Sequence, residues 1–232
     1  MGRILALGIL GTLACAQVVA AHTFAEDRFG VQANGSITGT ITTSAKGTAP
    51  FRVTIDQTVC GNELPDEAIV VDAQGHLANA VVILTGVKRS AAGETVLMNE
   101  KCRFAPRVQV TRPNANVRTT SKDPVLHTTQ ALHESGRTVF NVALPMPGLN
   151  ISKPIGAAGT VRLNCNTHPW MRGWVIVTDD AAAISGADGK FTLDNIPPGT
   201  YELRVWHESL KGAPQKITVV AGKPTEISFQ LK

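Results

Sequence analysis

Three side chains within one short stretch could do chemistry together: Cys165, His168 and Met171, a thiol, an imidazole and a thioether in the spacing C-x2-H-x2-M. Soft sulfur donors beside imidazole select copper, and a trigonal set of two histidines and one cysteine with a weak axial methionine is an electron-transfer site. Such a set needs a second histidine. Around the triplet, Val161, Leu163 and Cys165 alternate with Arg162 and Asn164 as on a half-buried strand, and Trp174-Val-Ile-Val177 reads as a buried strand. A tight loop between two strands therefore holds the three donors. For the missing histidine, Asp123-Pro-Val-Leu-His127 delivers an imidazole after a proline-stiffened turn, 38 positions before Cys165 (165 − 127). That separation is enough to bring it from another strand of the same sandwich. His133 is the rival, and it sits in the turn-like His-Glu-Ser-Gly.

The elements that must position these residues are β-strands. The chain of 232 residues is low in aromatics, rich in Gly, Thr and Val, and lacks a convincing amphipathic helix, so an all-β protein is expected. Residues 1–21 read as a secretory signal peptide: Arg3, an apolar run from Ile4 to Val19, then the small-residue site Val19-Ala20-Ala21. A retained anchor is the competing reading, but the run is short for a bilayer span. Lipid attachment at Cys15 is another, and the residues before Cys15 fit it poorly. The expected location is the periplasm or the outside of the cell, with no membrane span once the signal is removed.

The formal charge of +4 is scattered, and no Lys/Arg cluster interleaves with aromatics, which argues against nucleic acid as a partner. No nucleophile–base pair and no second redox cofactor motif is visible, so an enzyme is not expected. Export also bears on the cysteines. Cys15 leaves with the signal and Cys165 belongs to the metal, which leaves Cys60 and Cys102 to pair where disulfides persist. The alternative is that Cys102 is itself a metal ligand.

In chain order, residues 34–43, 50–57, 68–71 and 78–84 alternate or run apolar like strands, and residues 88–93 form a polar linker. His76 falls in the turn Asp72-Ala-Gln-Gly-His76, where a solvated role is expected. Strand-like segments resume at 96–98, 104–110, 117–120 and 128–132.

The segment 96–179 resembles a cupredoxin, a type 1 blue copper domain, most specifically in Gly159-Thr-Val-Arg-Leu-Asn-Cys-Asn-Thr-His-Pro-Trp-Met-Arg-Gly173. The resemblance implies a Greek-key β-sandwich with His127, Cys165, His168 and Met171 as ligands of one copper ion, acting as a one-electron carrier. It departs from the common pattern at Thr128 and Ser121, where cupredoxins commonly carry Asn; both positions bear on the hydrogen bonds that hold His127 and the thiolate. In a carrier, His168 is expected to reach solvent, flanked by Pro169 and Trp170 as a small apolar patch for a redox partner such as a cytochrome or a periplasmic dehydrogenase. Copper delivery and a purely structural exported module are the alternative functions.

Ser185-Gly-Ala-Asp-Gly-Lys-Phe191 and Pro197-Pro-Gly-Thr-Tyr-Glu-Leu-Arg-Val205 resemble the carboxypeptidase regulatory-like (transthyretin-like) sandwich. Gly35-Ser-Ile-Thr-Gly-Thr-Ile41 and Asn79-Ala-Val-Val-Ile-Leu84 look like its opening strands. The expected organisation is a signal peptide (1–21), the first part of that sandwich (22–93), the cupredoxin-like domain (94–180) and the rest of the sandwich (181–232). His207 shares a strand face with Tyr201, Leu203 and Val205, where a hydrogen-bonded core histidine is expected.

Overall fold

A computed structural model of the chain describes residue 2 and residues 33–89 and 94–232. The expected signal peptide and most of the linker lie outside these residues. Among the described residues no helix is long and apolar enough to cross a membrane.

The fold is all-β. The chain opens with β1 (Gly35–Thr43), then a small excursion of β2 (Phe51–Arg52), the one-turn α1 (Gln57–Cys60) and β3 (Glu63–Leu64), then β4 (Val81–Lys88). There follow β5 (Thr95–Glu100), β6 (Arg103–Ala105), β7 (Val108–Thr111), β8 (Asn116–Ser121), β9 (His127–His133), β10 (Thr138–Leu144), β11 (Asn150–Pro154), β12 (Gly159–Asn164) and β13 (Arg172–Val177). The chain closes with β14 (Asp180–Ile184), β15 (Lys190–Ile196), β16 (Gly199–Trp206), β17 (Gln215–Val219) and β18 (Pro224–Leu231).

Two pairs of sheets enclose two cores. A five-stranded sheet, β10-β9-β12-β13-β7, and a four-stranded sheet, β11-β8-β5-β6, close over Leu97, Val117, Ala131, Val161, Leu163 and Val175. A three-stranded sheet, β15-β1-β18, and a second four-stranded sheet, β14-β4-β16-β17, close over Ile37, Ile41, Leu84, Leu203 and Phe229. In the second core the Phe191 and Phe229 rings lie 6.5 Å apart, a pair that contributes about 0.5–1.5 kcal/mol beyond its buried area.

The route of the chain follows from one register. β4 and β14 are antiparallel neighbours with Lys88 opposite Asp180; the Lys88 Nζ–Asp180 Oδ1 ion pair (2.8 Å) sits at the crossing. The chain thus leaves the sheet at β4 and returns in the strand beside it, and β5 to β13 form the sheets of the first sandwich in between. On the return, the β14–β15 turn places Gly189 at φ 69°, a left-handed conformation that glycine adopts without penalty.

The two sandwiches stack sheet on sheet. Val81, Ala182, Ile83, Ile184 and Trp206 meet Val108, Ile176, Val110 and Trp174 in a third apolar cluster. Trp174 and Trp206 lie edge to face at 5.5 Å, and Arg107 grips Glu208 with two bonds of 2.7 and 2.9 Å. This stacking is why Val81–Leu84 and Trp174–Val177 are unbroken apolar runs: each strand is covered on both faces.

Several expectations need correction: residues 68–71 form no strand beyond an isolated bridge between Val71 and Leu77, and 104–110 is divided between β6 and β7. Residues 50–57 are not one strand; after Arg52 the chain turns, and Asp56 takes a left-handed conformation (φ 53°, ψ 33°) ahead of α1. Nor does residue 93 divide the cores cleanly, because Val53, Cys60 and Leu64 pack into the first sandwich. The Cys60–Cys102 disulfide, with Cα atoms 5.3 Å apart, ties this excursion to the β5–β6 turn.

Candidate metal centre

β12 ends at Asn164 and β13 begins at Arg172, so the seven intervening residues, Cys165 to Met171, form a loop closed by Met171 N–H to His168 O (2.9 Å) and Cys165 N–H to Met171 O (3.4 Å). Antiparallel pairing of β12 with β9 lays Cys165 beside the start of β9, where His127 stands. The result brings one atom each from His127, Cys165 and His168 within 4.8 Å of one another. Cys165 is 3% exposed, Met171 2%, and both histidines 0%.

Both imidazoles turn Nδ1 to the sulfur: Cys165 Sγ lies 4.0 Å from His127 Nδ1 and 3.7 Å from His168 Nδ1. Metal–nitrogen and metal–thiolate bonds of about 2.0 and 2.3 Å, as zinc shows, put the N···S edge of a trigonal set at about 3.7 Å. The spacing therefore fits a metal ion at the centre, and the buried thioether of Met171 in the same core fits a soft one. The Cys102 sulfur, the alternative ligand, is committed to the disulfide. His133 is elsewhere, its ring bonded to Ser135 Oγ (2.9 Å) and Ala158 O (3.1 Å), and His76 is bonded to Asp72 in its turn (2.7 Å).

The sulfur is prepared as an anion. Burial alone would push the Cys165 thiol up, but the His127 and His168 rings and the Thr128 N–H outweigh it and hold it at about 5, well below the ordinary 9.0. Thr128 donates its N–H at 3.3 Å and its hydroxyl at 3.7 Å, while that hydroxyl accepts the Asn166 N–H at 2.7 Å. Thr128 thus bonds the sulfur and pins the loop. Ser121 acts one step further out: its Oγ accepts the Asp123 N–H (3.1 Å) and shapes the turn that presents Asp123.

With Nδ1 facing the sulfur, Nε2 of each ring is free to donate, and each meets a carboxylate. His127 Nε2 donates to Asp123 Oδ2 (2.9 Å). Asp123 is buried, and its two oxygens also accept the N–H groups of Lys101 and Cys102 (2.8 Å each). His168 Nε2 donates to Asp56 Oδ2 (3.0 Å). Burial lowers the pKa of His168, yet the Cys165 sulfur and the Asp56 carboxylate together raise it above its ordinary value. Carboxylate–imidazole pairs of this kind fix ring orientation and make the other nitrogen a better donor. The sequence carried a weak signal for Asp123, four positions before His127, and none for Asp56, 112 positions from His168.

The expected docking surface is corrected by the same geometry. His168 has no exposed edge, because Asp56 and the stapled excursion cover it. Trp170 is buried, its ring 5.2 Å from His168 and its Nε1 donating to Cys102 O (3.2 Å), and Pro169 alone of the pair is exposed. His207 is buried at 3% and its Nδ1 accepts the N–H groups of Ser209 and Leu210.

Residues 158–232 match the family model of the carboxypeptidase regulatory-like domain. The matched stretch begins on β12 and β13, which pair within the first sandwich, and runs on through the closing strands of the second. No curated protein matches the sequence. Among solved structures, part of the chain is similar to a purple cupredoxin from Nitrosopumilus maritimus, with 21% identity over 36% of this chain and 99% of that one and a TM-score of 0.32. Amicyanin from Paracoccus versutus is similar at 19% identity, over 41% of this chain and 96% of that one, with a TM-score of 0.33.

Proposed function

We propose that the chain is an exported type 1 copper protein that carries single electrons, with His127, Cys165, His168 and Met171 holding the ion. In this reading residues 94–180 are a cupredoxin-type domain inserted into the carboxypeptidase regulatory-like sandwich. The observation that carries it is the Cys165 sulfur, buried, acidic and flanked by two Nδ1 atoms at 3.7 and 4.0 Å. Copper held by this donor set supplies a one-electron couple.

The chain's own residues do the rest. Thr128 donates to the sulfur and spreads its charge. Asp123 and Asp56 hold the rings. Close packing leaves the ligands little room to rearrange between two oxidation states, which favours electron transfer over delivery, since delivery needs a ligand that swings outward. The partner would be a redox protein such as a cytochrome or a periplasmic dehydrogenase.

The test is the visible spectrum of the copper-loaded protein. An intense thiolate charge-transfer band is expected, lost in Cys165→Ser, altered in His127→Ala and unchanged in His133→Ala. A band that survives in Cys165→Ser would overturn the reading.

A further inference from the structure

The most unusual feature around the site is the cover on His168. Asp56 immediately precedes α1, where an aspartate side chain ordinarily caps the first turn; here it makes no capping bond. Its carboxylate reaches across to His168 Nε2 at 3.0 Å instead, from a backbone held at φ 53°. The excursion that presents it is fastened on several sides. Gln57 Nε2 donates to Val53 O (2.7 Å), Val53 N–H donates to Asn62 O (2.9 Å), and Cys60, at the end of α1, is joined to Cys102. Cys102 O in turn accepts Trp170 Nε1, and Trp170 lies against His168. Asp56 itself is 38% exposed while His168 is fully buried, so this carboxylate stands where water would otherwise meet the imidazole.

We propose that Asp56 is a positioning residue for the metal-binding face of His168: it holds the Nε2–H end, aims Nδ1 at the Cys165 sulfur, and latches the stapled excursion over the site. The proposal rests on the assignment of His168 as a ligand. Its consequence is that His168 can leave the site only when the 51–64 excursion lifts, so release of the ion is gated by one carboxylate and not by the ligand loop alone.

Two variants separate this role from general support of the fold. Asp56→Gly removes the acceptor and adopts positive φ freely; Asp56→Asn keeps an oxygen acceptor and also tolerates the left-handed backbone. In the metal-free protein, nitrogen-15 NMR should detect the His168 Nε2–H proton as slowly exchanging in the wild type and in Asp56→Asn, and lose it in Asp56→Gly. In the copper-loaded protein, Asp56→Gly should lose the ion to excess chelator about 10- to 100-fold faster, with Asp56→Asn restoring most of the difference. A Nε2–H proton equally protected in all three proteins, or a chelator rate within twofold of wild type in Asp56→Gly, would overturn the proposal. If the wild type forms no thiolate–copper band, the copper reading fails by itself, and the metal-free NMR measurement still decides the part played by Asp56.

Discussion

Replacing Cys60 and Cys102 together by alanine tests the staple on which the cover depends. The two cysteines are 42 positions apart, so in the chain-entropy description the cross-link removes about 2.1 + 1.5R ln 42, or roughly 13 cal/mol/K, from the unfolded state. At 25 °C this is about 4 kcal/mol. Both cysteines are buried in the first core, and small cavities left by alanine add to the loss. With a urea slope of about 2–3 kcal/mol/M, the midpoint of the metal-free double variant should fall by about 1.3–2 M. The slope itself should rise, because the released unfolded chain exposes more surface. Wild type with its disulfide chemically reduced should match the variant to within the small alanine term. A midpoint shift of less than about 0.4 M, or a reduced wild type as stable as the oxidised protein, would refute the reasoning.

Other expectations concern the contact between the two sandwiches. Arg107 and Glu208 are 9% and 7% exposed, so Glu208→Ala leaves a buried guanidinium with only the more distant Glu67 carboxylate (3.9 Å) and the Arg172 carbonyl (3.4 Å) beside it; the cost in a denaturant melt should be about 3 kcal/mol, the low end for a broken buried pair, and the apolar double variant Arg107→Met/Glu208→Leu should recover most of it. The pKa of His207 is lowered from its ordinary 6.5, chiefly by burial. Its unfolded form binds the proton more readily, so its stabilisation is full above pH 6.5 and is lost as pH falls through the lower folded value. Wild type should therefore lose stability between pH 7.5 and 5.5 by more than His207→Gln does, measured by urea melts at both values; equal losses would contradict the assignment.

Much of this site was legible because its chemistry is local. Cys165, His168 and Met171 sit in one loop, so their spacing names a donor set before any fold is known. His127 needed the argument that a turn after Pro124 opens a strand, and β9 does begin there. The apolar runs Val81–Leu84 and Trp174–Val177 also carried more than was read from them. Trp174–Val177 was legible as a buried strand and Val81–Leu84 as a strand; that both are buried on two faces, and therefore stack on each other, is a fact of tertiary packing. Asp56 was illegible for a different reason. Phe51-Arg-Val-Thr-Ile55 alternates like a strand, and only the disulfide and the left-handed turn at Asp56 convert it into a cover for a residue 112 positions away. The same cover explains why Trp170, which looked like a surface anchor beside a solvent-facing histidine, is buried instead.

The most direct test of the central claim is a reductive titration of the copper-loaded protein followed at its visible band. One electron per chain should bleach the band, one electron withdrawn should restore it in full, and one copper ion should stay bound throughout, even with a competing chelator present. Copper that binds without a thiolate band, or that leaves the protein on reduction, would contradict the account.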